Sequence, residues 1–200
     1  MGRNAIIKKR SANPKKKQEI IDGLVVFFRS NSLAESNMDQ IAEGLNKSKA
    51  TLYKYFKSKE EMVDAVIDYK VKMITGFVPI LHNADIDYIE RYSLSFDLLQ
   101  THIRDIGNDF LSDIKTMFPG IYQKVMLLVE LAVHELSAYY TEGMKRGIFN
   151  RLNAMMLSQM DFIFFQTLTD PVYLKENDLT LSEAFRDFYD IRCQGLLRKE

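Results

Sequence analysis

Apolar residues recur along this chain at helical spacing, and short polar breaks separate the runs. Ile20, Ile21, Leu24, Val25, Phe27 and Phe28 form a first stripe. Asn13-Pro14 precedes it as an N-cap with Pro at the first helical position, and Ser30-Asn31-Ser32 ends it. Met38, Ile41, Ala42 and Leu45 mark a second, shorter helix, opened by a capping-box-like pair, Asn37 and Gln40. Ser48 can cap a third. Ser58-Lys59-Glu60-Glu61 is a capping box for a fourth over 59–76, with Met62, Val63, Val66, Ile67, Val71 and Ile74 on one side. Gly76 and Pro79 punctuate its end. Further helices are predicted near 86–105, 108–116, 120–146, 152–168 and 181–197. Breaks fall at Asn83-Ala84-Asp85, Gly107, Pro119-Gly120, Gly147 and Asp170-Pro171. Neither strand alternation nor an internal repeat is visible, so the fold class is all-α.

Composition narrows the function classes. Four Pro and nine Gly in 200 residues argue against a loop-rich β protein. A single cysteine, Cys193, excludes an internal disulfide and suits a reducing cytoplasm. No apolar segment follows the basic N-terminus, so no signal peptide is expected, and the longest apolar run, Val125-Met126-Leu127-Leu128-Val129, is far short of a membrane span. The net charge of zero hides an asymmetry: residues 1–60 hold 13 Lys and Arg against 6 Asp and Glu, and the rest hold 14 against 21. A basic end on an acidic body suggests a polyanion-binding module joined to a domain with another task. Residues 1–13, with Lys8-Lys9-Arg10, read as a basic arm.

The segment Asn37 to Glu61 carries the strongest chemical signal. Two short helical patterns lie three residues apart, and Asn46 sits mid-turn, where a left-handed residue is needed and Asn tolerates it. Leu52 and Phe56, four apart, can point inward, while Lys49, Ala50, Tyr53 and Lys54 cluster on the opposite face. Small Ala50 permits close approach to a groove. Lys49 and Lys54 reach phosphates or guanine acceptors, and Tyr53 and Tyr55 offer hydroxyls and ring surface. Lys59, in the first turn of the next helix, is placed for a phosphate.

The order Ser48-Lys49-Ala50-Thr51-Leu52-Tyr53-x-Tyr55-Phe56-x-Ser58-Lys59-Glu60-Glu61-Met62, after Ile41-Ala42, resembles the N-terminal domain of the TetR family of transcriptional regulators. Ile20-Ile21-Asp22…Phe27-Phe28 resembles that family's first helix. The resemblance implies a helix-turn-helix domain over 1–58 and a larger helical dimerisation and effector-binding domain over 59–200. It implies a cytoplasmic homodimer on double-stranded DNA with a palindromic operator, a repressor released by a small-molecule effector. Asn37, Lys47, Ser48, Lys49, Ala50, Thr51, Tyr53, Lys54, Tyr55 and Lys59 are the expected DNA-facing residues. The chain departs from the pattern at the turn, where Asn46 and Lys47 replace Gly and Val, and at Gly23-Leu24 and Ala50. Lys47 exchanges a buried aliphatic for a charge; either its stem lies over the core and its amine snorkels to a phosphate, or the module is locally looser.

The remaining residues carry less. The helix near 152–168 is apolar almost all round and must be covered on two sides, which a second subunit would do. With the last helix it is expected to build a two-fold, four-helix interface through Met156, Met160, Ile163, Phe164, Phe185, Phe188 and Ile191. An effector pocket is expected among the helices of 86–146, with His102, Tyr122, Met126, His134 and Tyr139 as candidate liners. No metal or cofactor site is expected: His82, His102 and His134 are far apart, His134-Glu135 lacks the second His of a zinc helix, and Cys193 has no Cys partner. No catalytic constellation is apparent. Two readings stand beside the regulator: a helical adaptor of the same fold acting through protein partners, and a helical enzyme with its site in the C-terminal pocket.

Overall fold

The computed structural model describes residues 13–168 and 170–196. The basic arm, apart from Asn13, lies outside them. Four helices form the N-terminal part: α1 (Pro14–Ser30), α2 (Met38–Gly44), α3 (Lys49–Tyr55) and α4 (Lys59–Ile74). They are followed by α5 (Phe77–Leu81), α6 (Tyr88–Ile103), α7 (Asn108–Met117), α8 (Pro119–Lys145), α9 (Ala154–Leu168), α10 (Pro171–Glu176) and α11 (Leu181–Leu196). The described residues are all-α, a helix-turn-helix followed by a larger helical body. None of these helices is long and apolar enough to cross a membrane.

Local chemistry sets the boundaries. The Asn13 side chain accepts from the Lys15 amide, and Pro14 occupies the first helical position, where no N–H is missed. Asn37 and Gln40 close a full capping box on α2. Ser58 accepts from the Glu61 amide, but the Glu61 carboxylate reaches back to the Lys57 amide, one residue before the cap. Two short helices were read as breaks. Pro79 lies inside α5, in a first turn that lacks intrahelical N–H partners, and Asp170 caps α10.

Three hydrophobic clusters hold the chain together. The first joins α1 to α4 with Phe110 and Ile114 of α7 and Ile121 of α8. The second packs α5, α6, α8, α9 and α11, and the third includes Ile74 of α4 with Ile103, Leu111 and Leu181. Thus α4 is buried at both ends, in different cores. Polar ties follow the same seam. Asp113 on α7 accepts from the Ser32 hydroxyl at 3.2 Å and the Ala34 amide at 2.9 Å. Lys124 on α8 bridges Asp64 and Asp68 of α4.

The most buried tie along this seam is Lys70 of α4. Its side chain is 5% exposed, and its ammonium donates to Asp105 at 2.9 Å and to the His102 carbonyl at 3.2 Å. Asp105 also meets Arg29 of α1 at 3.5 Å. Burial alone would raise the Asp105 carboxyl, but the hydrogen bond and charge of Lys70, with Arg29 and Arg104, leave it below its ordinary value. A carboxyl whose folded-state pKa is depressed stabilises the fold above its unfolded pKa, and this stabilisation fades as pH falls. Asp105→Asn should therefore lower the unfolding free energy at pH 7 by roughly 1–3 kcal/mol, since Lys70 loses its counter-charge. Denaturant melts across pH should show the gap to wild type closing below about pH 4; a gap that persists in acid would assign the loss to packing.

Candidate nucleic-acid interface

The recognition surface is built from α2, the turn of residues 45–48, and α3. Asn46 takes the left-handed conformation at φ 55, and the Lys47 amide donates to the Ala42 carbonyl, closing α2. Gly44 allows the Phe27 ring to lie on α2; a Cβ there would stand 2.5 Å from it. Leu52 and Phe56 are fully buried, as their spacing requires, and they fix the rotation of α3. Lys49, Ala50, Tyr53 and Lys54 consequently face solvent, and Tyr53 is 48% exposed.

Polar groups on this surface are arranged in advance. The Ser48 hydroxyl accepts from the Thr51 amide and lies 2.8 Å from the Thr51 hydroxyl. The Lys49 ammonium meets Asp39 of α2 at 3.0 Å, and that hydrogen bond holds the ammonium above its ordinary pKa. Both side chains are exposed, so the pair is weak and a phosphate can replace the carboxylate. Asn37 is exposed, but its carbonyl oxygen is committed to the Asp39 and Gln40 amides, which leaves its NH2 as the outward group.

Two expected contacts are placed differently. Tyr55 is 8% exposed and packs in the first core, because it shares a face with Leu52 three residues earlier. Lys59 turns inward and donates to the Leu33 and Ser36 carbonyls at 2.9 and 3.0 Å, so it clamps the α1–α2 loop. Lys47 is exposed, as a DNA-facing residue requires, and lines a shallow groove with Phe27 and Gly44. Lys17 was not anticipated; its ammonium lies 5.2 Å from the Phe56 ring centroid, beside the end of α3. A signal existed in the sequence. Lys15, Lys16 and Lys17 fill the first turn of α1, where cations oppose the helix dipole and have no stabilising role.

A second site lies in the body. A cavity of about 100 Å³ is lined by α4, α5, α6, α7, α8, α9 and α11, with Val71, Leu99, Leu128, Ala132, Leu136 and Phe185 among its walls. None of His102, Tyr122, Met126, His134 and Tyr139 lines it. His134 is exposed, Tyr122 packs against the first core, and Tyr139 stacks on Tyr88 with ring centroids 4.5 Å apart. His102 sits at the end of α6, where burial and the nearby Lys70 lower its pKa.

The expected interface residues divide into two sets. Met156, Met160, Ile163 and Ile191 are exposed by 66%, 50%, 55% and 69%, and Met155 beside them by 79%. Phe164 is half-buried and stacks on Phe188 at 4.6 Å. Phe185 and Phe188 turn into their own protomer and line the cavity. Asp161, on the inner side of α9, is fully buried and pairs with Arg192 of α11. Burial raises the Asp161 carboxyl, against the opposing pull of Arg192.

Residues 20–66 match the family model of the bacterial regulatory proteins of the tetR family. The chain is 25% identical over 133 residues to the biofilm operon icaADBC HTH-type negative transcriptional regulator IcaR of Staphylococcus aureus, covering 64% of this chain and 70% of that one. It is 20% identical over 166 residues to YvaF of Bacillus subtilis, an uncharacterized HTH-type transcriptional regulator, covering 82% and 86%. Among solved structures, a proposed transcriptional regulator from Saccharomonospora viridis in complex with choline superposes with a TM-score of 0.70 at 16% identity, over 94% of this chain and all of that one. Over residues 20–66 the chain is thus similar to the N-terminal module of the tetR family of regulators.

Within a TetR-type module the packing separates two kinds of side chain on α3. Lys49→Ala with Lys54→Ala should leave the melting temperature nearly unchanged and weaken DNA binding; with two fewer phosphate contacts per protomer, the slope of log K against log salt should fall by about two per protomer. Tyr55→Ala should instead cost roughly 3–5 kcal/mol of stability, as truncation of a buried aromatic does. Gel shifts across salt and thermal melts of the variants read these outcomes apart.

Proposed function

We propose that this chain is a TetR-family regulator, a cytoplasmic repressor that binds a palindromic operator as a homodimer and is released when a small molecule enters the cavity of the body. The observation that carries DNA binding is the outward face of α3, where Lys49, Ala50, Tyr53 and Lys54 are exposed on a helix fixed from beneath by Leu52, Tyr55 and Phe56. Residues 1–58 are the DNA-binding unit in this reading and 59–200 the regulatory one. The chain then works by binding, not catalysis. Among the described residues no group of three His, Cys, Asp or Glu side chains could hold a metal ion.

Repression accords with the role of IcaR as a negative regulator. Release by a ligand is supported by the course of α4. Its first half belongs to the core that also holds Leu52, Tyr55 and Phe56, while Ile67, Lys70, Val71 and Ile74 form one wall of the cavity. A molecule that widens the cavity displaces the helix that carries the recognition module. Only an occupant with different affinity for the two arrangements shifts the equilibrium between them.

Dimerisation is supported by the exposed strip on α9. Met156, Met160 and Ile163 recur at i, i+4 and i+7, and Ile191 of α11 extends the patch. Covering such side chains with a second copy is worth roughly 1.5–3 kcal/mol for each one fully buried. Selection of bound DNA from a random pool tests the whole proposal: a palindrome with half-sites one helical turn, or a multiple of it, apart is expected. A pool without enrichment would favour the adaptor. Ile163→Glu should yield a folded monomer in sedimentation experiments and weaken operator binding by roughly 100-fold or more, through loss of the second half-site contact.

A further inference from the structure

The cavity has almost no polar surface available to a ligand. Its walls include three side chains with polar atoms of chemical consequence, Lys70, Tyr92 and Ser95. Each is already engaged. Lys70 donates to Asp105 and to the His102 carbonyl. The Tyr92 hydroxyl lies 3.4 Å from that of Tyr140, and the Ser95 hydroxyl donates to the Phe77 carbonyl at 3.4 Å. No carboxylate belongs to the wall.

We infer that this cavity selects a small, uncharged, apolar molecule and rejects ions of the same size; the inference rests on the effector reading above. A cation entering here would lose its water, meet no anion and face the Lys70 ammonium. Phe77, Phe96 and Phe165 are among its walls, but cation–π attraction is smaller than the cost of stripping an ion of water without a counter-charge. An anion could take only the third N–H of Lys70, whose charge the Asp105 carboxylate at 2.9 Å already neutralises, and would meet that carboxylate's repulsion. An uncharged hydrocarbon disturbs none of these pairs and replaces water contact with contact to aliphatic and aromatic side chains. Size points the same way. The free volume is about 100 Å³, and an apolar protein cavity of roughly 150 Å³ takes benzene. A single ring or a short branched alkyl group fits with slight repacking, and a drug-sized molecule does not.

Direct binding to the full chain tests this, by calorimetry or ligand-observed NMR with toluene, benzylamine, benzoate and tetramethylammonium. Toluene is expected to bind at least ten-fold tighter than each of the three ions. Equal or tighter binding of benzoate would show that Lys70 is an anion site, and tighter binding of tetramethylammonium would show an aromatic cage; either result overturns the inference. Ala132→Leu fills the cavity and should abolish toluene binding. Leu99→Ala, which enlarges it, should make naphthalene bind at least several-fold tighter, and this keeps the test open if the filled variant does not fold. Toluene binding unchanged in both variants would place the site elsewhere and overturn the assignment. Operator affinity measured in the same samples separates the two readings: toluene that binds without releasing DNA leaves the ligand class standing and removes ligand release.

Discussion

Helix α4 cannot satisfy both of its cores independently, and this constraint organises the molecule. Met62, Val63, Val66 and Ile67 complete the core beneath the recognition helix, and Ile74 belongs to a cluster of the body. Between them Lys70 is buried with its charge paired to a residue of the α6–α7 connection. A rigid helix shared by two packed regions transmits displacement, because close-packed side chains do not compress. Phe110, Ile114 and Ile121 bring α7 and α8 into the same core, so the DNA-facing part is not a bead on a linker. Its position is set by the body.

Two buried ion pairs occupy the places where helices must keep register. Lys70 and Asp105 tie α4 to the end of α6, and Asp161 and Arg192 tie α9 to α11. Taking such charges out of water costs several kcal/mol per ion, which the pairing only offsets. Their net stabilisation is therefore small, whereas their geometric demand is strict. An apolar contact tolerates sliding, but a buried carboxylate opposite a guanidinium does not. This is the physical reason to find Asp161 within an otherwise uncharged α9: it fixes which face of that helix turns inward and so leaves Met156, Met160 and Ile163 outside.

Much of the DNA-facing part was legible because its signals are local. Asn13, Asn37, Ser48 and Ser58 cap the helices they precede, and Asn46 adopts the left-handed turn, since caps and turns depend on a few neighbouring residues. Tyr55 was misplaced because its hydroxyl was weighed above its spacing; at three residues from Leu52 it belongs to the inner face. Lys59 was unreadable for a different reason: the carbonyls it binds come from a loop more than twenty residues earlier in the chain. The expected cavity liners, Met126 apart, carry polar groups, whereas the cavity is walled mostly by aliphatic and phenyl side chains. On α8, Val125, Leu128, Ala132 and Leu136 form one stripe, and His134 lies off it.

The last helix shows where amphipathic pattern stops being decisive. Leu181, Ala184, Phe185 and Phe188 form a single stripe that fits either a partner subunit or the body of the same chain. Periodicity states that the stripe must be covered, not by what. In the structure α9 decides, because Phe165 stacks on Phe185 at 5.2 Å and Phe164 on Phe188 at 4.6 Å, so the stripe is consumed within the protomer. Ile191, three residues beyond Phe188, passes the end of that stack and stays exposed, next to the paired Arg192. The apolar surface left for a partner is thus set by the residues α9 and α11 do not spend on each other, a quantity that depends on tertiary packing and is absent from either helix read alone.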